Sequence, residues 1–219
     1  MDFRGEEREK NLDLSEYYSD SYFSLQQLCS FAHQINDIYK LQPQSILEVG
    51  IGNGFTSTFL KRAGFRVTTA DINPNLEPDI CAPIESLKKH LYGKKFDLIV
   101  CCEVLEHIPF DNFEKTLSFF SELSPRLYLT LPSYRKVIGF SGWCRLPKLG
   151  FKNKSWLLEL PTSRALDKEH FWEVGYSRET SLTEINKKLK HFYSSVVSAR
   201  YQFNPYHRSF TCSAHPKIQ

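Results

Sequence analysis

Ser45-Ile46-Leu47-Glu48-Val49-Gly50-Ile51-Gly52-Asn53-Gly54-Phe55 decides the reading of this chain. The first five residues form a short apolar run of the kind that makes a buried strand. Glycines follow at once. Phe55 to Ala63 then reads as a helix, with Gly64 where a C-terminal cap belongs. Glycines in a strand-to-helix turn permit positive φ and let a ligand reach the backbone with no side chain between. The helix adds free N–H groups directed at the loop. In the dinucleotide fingerprint G-x-G-x-x-G the third glycine comes later. Here Gly50, Gly52 and Gly54 alternate and position 55 is Phe, which departs from the nicotinamide pattern. The loop holds no lysine, which argues against a P-loop phosphate site.

Outward from the loop, Arg66 to Ala70 is β-branched and reads as a second strand ending at Asp71. An acid at that place, about 20 residues past the glycines, is set to accept hydrogen bonds from two ribose hydroxyls. This points to an adenosine-type ligand with a free ribose. The bland alternative is that the glycines only make a tight turn. Glu48 and Asp71 beside them favour the ligand.

Further along, a short strand near Ile80 and a helix over Glu85 to Leu91 follow a turn-rich piece. Phe96 to Cys101 is a strand, Asp111 caps a helix to about Leu123, and Leu127 to Leu131 is a strand stopped by Pro132. Strands alternating with helices predict an α/β fold with a mostly parallel sheet. Before it, Leu14 to Tyr39 reads as a helix, with Leu25, Leu28, Phe31, Ala32, Ile35 and Ile38 at spacings of three and four. After it, Ser133 to Lys168 is long, basic and aromatic with no clear period, which predicts a loop or lid. Arg178 to Lys190 reads as a helix, and Phe192 to Gln202 and Ser209 to Cys212 as closing strands. The expected organisation is one domain: a helical cap over 1–44, a cofactor-binding half over 45–131, an acceptor-side loop over 132–177, and a closing segment over 178–219.

The chain has 219 residues and a formal net charge of +3, too small to argue for nucleic acid by itself. Its six cysteines include no C-x-x-C pair, so no zinc or redox motif is read and no metal site is expected. Reduced, buried thiols are the expectation for Cys101 and Cys102. The charged start M-D-F-R-G-E-E-R-E-K lacks the apolar core of a signal peptide. No apolar run approaches the roughly 20 residues of a membrane span. A cytoplasmic protein is expected.

With these residues in view, the chain resembles the class I S-adenosylmethionine-dependent methyltransferases, of the type 11-like family. I-L-E-V-G-I-G-N-G-F with A-D-I-N-P carries the first likeness. F-D-L-I-V-C-C-E-V-L-E-H-I carries the second. The terminal N-P-Y-H-R-S-F is similar to the closing hairpin of that sheet. The resemblance implies a Rossmann-like seven-stranded sheet, and S-adenosylmethionine as cofactor with S-adenosylhomocysteine as product. It implies that Glu48, Gly50, Gly52 and Gly54 form the loop under the methionine part of the cofactor. Asp71 would hold the ribose, Ile72 would pack on the adenine, and Glu103 would stand near the sulfonium. Pro83 occupies the place where relatives carry an acid for the adenine amine, which leaves Ile84 or Glu85 for that contact.

The acceptor side has several candidates. His107, in L-E-H-I-P, either meets the acceptor or caps the turn, and Glu106 is assigned to backbone support. His170, in Lys168-Glu169-His170-Phe171-Trp172-Glu173-Val174-Gly175, is the first choice of general base, against a role as a loop anchor. His207 and Arg208 read as structural. Tyr17, Tyr18, Tyr22 and Phe23 either cover the cofactor as a lid or belong to an amphipathic helix over the sheet. The stretch with Arg135, Lys136, Arg145, Lys148, Lys152 and Lys154 is interleaved with Phe140, Trp143 and Phe151, and Trp156 follows. It suits nucleic acid, an anionic small molecule or a membrane surface, or is a plain solvated loop.

Methyl transfer to a small molecule or glycan-type precursor, an anionic one included, is the leading expectation. Methylation of RNA or protein, and cofactor binding without transfer, are the alternatives.

Overall fold

Ile46 and Leu47 are adjacent and both fully buried, yet they belong to different cores. Successive side chains of a strand point to opposite faces. The same division separates Leu98 and Val100 from Ile99 and Cys101, and Tyr128 from Leu127 and Leu129. Both faces of the central strands are covered, which is why these segments read as continuous apolar runs.

The computed structural model describes residues 5–20, 22–146 and 150–214, the side chains of 143–153 and 155 excepted. Its helices are α1 (Glu6–Lys10), α2 (Leu25–Leu41), α3 (Phe55–Arg62), α4 (Leu87–His90), α5 (Phe113–Leu123) and α6 (Leu182–Phe192). The strands are β1 (Ser45–Val49), β2 (Arg66–Asp71), β3 (Ile80–Cys81), β4 (Leu98–Cys102), β5 (Arg126–Pro132), β6 (Arg135–Leu146), β7 (Gly150–Ser163), β8 (Ser195–Arg200) and β9 (His207–Ser213).

Seven strands form one sheet in the order β3-β2-β1-β4-β5-β9-β8. Pairings from β3 to β5 are parallel, and β9 runs antiparallel to both β5 and β8. This is the expected Rossmann-like α/β sheet. Strand order reverses between β1 and β4, so the turns after them open a crevice beyond their C-terminal ends. On one face Ile38 of α2 and Leu60 of α3 meet Ile46, Leu98 and Val100. On the other, Leu87, Phe113, Leu117, Phe120, Ile185 and Leu189 of α4, α5 and α6 meet the larger core.

Three local expectations are corrected. The helix expected from Leu14 to Tyr39 is a short 3-10 turn over Leu14–Tyr18 followed by α2. The Ser24 hydroxyl accepts the Gln27 N–H at 3.2 Å and restarts the helix there. Asp111 does not cap α5; it lies in a 3-10 turn, and Asn112 occupies the cap position without a side-chain bond. The stretch expected as an irregular loop is a long antiparallel hairpin, β6–β7. Its directly opposed pairs Ile138/Leu158 and Phe140/Trp156 share one face, and all four side chains are exposed. Apolar neighbours on the other face, Val137 and Leu157, hide the period of two. Residues 1–4, Lys148 and 215–219 lie outside the described residues, as do the side chains of Trp143, Arg145, Phe151 and Lys152.

Cys29, Cys81, Cys101, Cys102 and Cys212 are free thiols, with Cys101 and Cys212 buried. Among the described residues no helix is long and apolar enough to cross a membrane.

Candidate functional site

The turns after β1, β2 and β4 wall a cavity of about 340 Å³. That is within the usual size range of small-molecule sites, roughly 300–1,000 Å³. Glu48, Gly50, Gly52, Asp71, Ile72, Ile84 and Glu103 all line it. Gly54 does not; it stands at the N-cap of α3 with φ 72°, where a side chain would be strained.

At the end of β1, Glu48 is buried and its Oε2 has no hydrogen-bond partner. Burial lifts its pKa to about 8, against the smaller pull of Ser57 and Lys61. Gly50 donates its N–H to Ala70 O at 2.9 Å with φ 80°. Asp71 is clamped from behind: Oδ2 accepts the Ile51 N–H and Oδ1 the Asn73 N–H, each at 2.8 Å. A carboxylate has about four lone-pair sites, so both oxygens keep capacity for a ligand. Burial raises the Asp71 pKa in spite of these bonds. Pro83 and Glu85 join Ile84 on the far wall.

Glu103 follows β4 with φ 55°, an unusual conformation for a residue with a side chain, costing about 1–3 kcal/mol. It is held by its N–H to Thr130 O at 3.2 Å. Its Oε2 lies 3.3 Å from His207 Nε2, and its Oε1 is buried without a partner.

The N-terminal segment supplies the opposite wall, with Arg8, Glu9, Tyr17 and Tyr22. Arg8 pairs with both Glu9 and Glu169. Glu9 has its pKa raised by burial, with Arg8 opposing. Of the expected aromatic lid, Tyr17 and Tyr22 face the cavity. Phe23 is exposed, and the exposed Tyr18 donates its hydroxyl to Asn53 O at 3.4 Å.

His107 lines the cavity, while His170 lies behind it, the rings edge to face with centroids 4.9 Å apart. His170 Nδ1–H donates to Glu173 Oε1 at 2.9 Å. Glu173 is fully buried, pairs with Arg164 and accepts the Tyr206 hydroxyl at 3.2 Å. Burial, then the neighbouring His170 and Arg8, depress the His107 pKa to about 3. Its imidazole is thus neutral at pH 7, a weak base but a free lone pair. Glu106, also fully buried, has its pKa pushed well up by burial and then by Glu103.

Sequence reading missed Glu9, the Glu103–His207 contact and the burial of Glu106. The run E-E-R-E-K looks like any solvated face, so Glu9 carried no signal. The E-x-x-E-H spacing did carry one: a 3-10 turn brings Glu106 and His107 back beside Glu103.

A family described as a methyltransferase domain matches residues 22–189. No curated protein matches the chain. Among solved structures, it is similar to an S-adenosylmethionine-dependent methyltransferase from Clostridium acetobutylicum, with 14% identity over 93% of this chain and 100% of that one, at TM-score 0.58. It is similar to the Burkholderia thailandensis 1,6-didemethyltoxoflavin-N1-methyltransferase, solved with bound 1,6-didemethyltoxoflavin and S-adenosylhomocysteine, with 14% identity over 93% of this chain and 85% of that one at TM-score 0.55. A third likeness is to the magnesium protoporphyrin IX methyltransferase of Synechocystis PCC 6803 with bound SAM, with 18% identity over 86% and 79% at TM-score 0.50. At such identities these likenesses establish the fold.

Proposed function

The chain belongs to the methyltransferase-domain family, and from that premise we propose that it binds S-adenosylmethionine in the cavity and methylates a small-molecule acceptor. The observation that carries this reading is the buried acid set around one cavity: Asp71 clamped by two backbone N–H groups, and Glu48 and Glu103 each with an unpartnered oxygen. Orphaned carboxylate oxygens favour a ligand that brings donors and positive charge. Val104 stands where a Gly50 side chain would, so the loop packs directly on the turn after β4, and both residues line the cavity.

In this reading Asp71 holds the ribose hydroxyls, Ile72, Pro83 and Ile84 pack on the adenine, and Glu48 and the glycine loop take the amino-acid end. The cofactor, once bound, supplies an electrophilic methyl group on a sulfonium. The chain's part is mainly alignment and exclusion of water, which in good cases is worth effective molarities of about 10⁵–10⁸ M. The N-terminal segment closes the cavity from outside. His107 orients the acceptor through its neutral ring. Besides Glu48 and Asp71, the lining carries Glu6, Glu9, Glu16, Glu85, Glu103 and Glu169 and a single guanidinium, that of Arg8. This acidic surplus supports a neutral or cationic acceptor over an anionic one. The toxoflavin and porphyrin enzymes of like fold support small-molecule acceptors.

Calorimetric titration with S-adenosylhomocysteine tests the reading. Wild type is expected to bind in the micromolar range, and Asp71→Ala to bind at least ~10-fold more weakly, about 1.4 kcal/mol. Asp71→Asn, which keeps one acceptor oxygen, should fall between. Absence of binding by folded wild type would remove the proposal.

A further inference from the structure

Beside the cavity, two segments far apart in sequence bring three metal-ligating side chains together. Glu106 and His107 come from the 3-10 turn after β4, and His170 from the loop after the hairpin. One donor atom from each lies within 4.8 Å of the others. Two further observations separate this cluster from an ordinary group of buried polar residues. Glu106 is fully buried, and its carboxylate meets no protein donor, only the neighbouring acid Glu103; His107, whose Nδ1 lies 3.3 Å from Glu9 Oε1, keeps its other ring nitrogen for a ligand. The acid beside Glu106 is Glu103, another carboxylate, which can satisfy it only by sharing a proton. His170, by contrast, is prepared. Its Nδ1–H is fixed by Glu173, which Arg164 and Tyr206 hold in turn, so the ring's lone pair is at Nε2. A carboxylate behind an imidazole is how proteins orient a histidine toward a metal.

We propose that Glu106, His107 and His170 form a binding site for a divalent first-row transition metal ion at the edge of the cavity. Two imidazoles and one carboxylate suit Mn²⁺, Fe²⁺, Co²⁺ or Zn²⁺ better than Ca²⁺, which takes six to eight oxygens. Ligands about 2.1 Å from one ion stand roughly 3.0–3.4 Å apart in octahedral or tetrahedral geometry, so the widest separation in the cluster closes by about 1.5 Å on binding. Three protein ligands leave coordination positions open. His107 lines the cavity, so those positions are within reach of an oxygen of a molecule bound there. The site stands on its own geometry and does not depend on the cofactor assignment.

Mn²⁺ is the probe, because the free thiols of the chain compete poorly for it. The full chain, stripped with chelator, is titrated with Mn²⁺ and the free ion read by electron paramagnetic resonance. Wild type is expected to take up one ion per chain. Glu106→Gln and His170→Asn are expected to weaken binding by at least ~10-fold. Thermal melting selects variants that fold, and either one suffices. Folded wild type that binds no Mn²⁺ would mean a proton rather than a metal satisfies Glu106, and would overturn the proposal. Equal affinity in both folded variants would place the ion elsewhere and overturn it too. Titration of the same wild-type sample with S-adenosylhomocysteine reads the cofactor assignment separately.

Discussion

Gly50 and Val104 lock the loop after β1 against the turn after β4: a Cβ on Gly50 would lie 2.1 Å from Val104 Cγ2. No side chain tolerates such an approach, and φ 80° disfavours one as well. Gly50→Ala is therefore expected to lower stability by about 1–3 kcal/mol and to abolish S-adenosylhomocysteine binding. Adding Val104→Ala should restore part of the stability, since it removes the clash but not the φ strain. Denaturant titration of the single and double variants checks this. Equal stability of the two would show that the contact does not matter.

Glu48 gives a pH dependence with a definite sign. Its folded pKa, about 8, is above the ordinary carboxylate value, so the folded state holds a proton that the unfolded state releases. Its contribution is full below about pH 4.5 and is lost as pH rises through about 8. Ligand-free wild type is expected to lose stability over that window relative to Glu48→Gln. Melting curves of both proteins from pH 5 to 9 would show parallel profiles if Glu48 were an ordinary carboxylate.

The N-terminal segment owes its place to the cavity wall. Arg8, Glu9, Tyr17 and Tyr22 face the space a ligand would fill. Ligand contact should hold this segment down. Limited proteolysis between residues 5 and 24 is expected to slow several-fold when S-adenosylhomocysteine saturates the protein. Unchanged cleavage with the ligand bound would separate this wall from binding.

The hairpin should be dispensable for the cofactor. Among the described residues none of β6 or β7 lines the cavity. Phe140→Ser combined with Trp156→Ser, both exposed, should change stability by no more than about 0.5 kcal/mol per site. Affinity for S-adenosylhomocysteine should not move. Calorimetry showing a ~10-fold loss would connect the hairpin to the site.

Trp172 ties the two histidine segments together. It is buried at 2% exposure, donates Nε1–H to Ile108 O at 3.1 Å and meets the rings of Phe110 and Phe113. Beside it, Phe171 N–H donates to Glu106 O at 2.9 Å. Trp172→Ala is expected to cost about 3–5 kcal/mol in urea unfolding. A loss under 1 kcal/mol would show that the loop is held by other contacts.

The amino-acid sequence by itself determined the sheet, the glycine loop and the place of Asp71. Each depends on neighbours in the chain: an apolar run covered on both faces, glycines at positive φ, an acid at a strand end. Ile84, Ile72 and Glu103 reach the cavity because strand order places their turns side by side, which the family resemblance implied and local spacing did not. The hairpin was illegible because apolar residues stand next to one another on both of its faces. Only the tertiary structure decided that Glu9 closes the cavity, that His107 stands before His170, and that Glu106 is buried without a protein donor. These relations join segments distant in the chain, and burial and orphaned charge depend on what packs around a group, which no local spacing encodes.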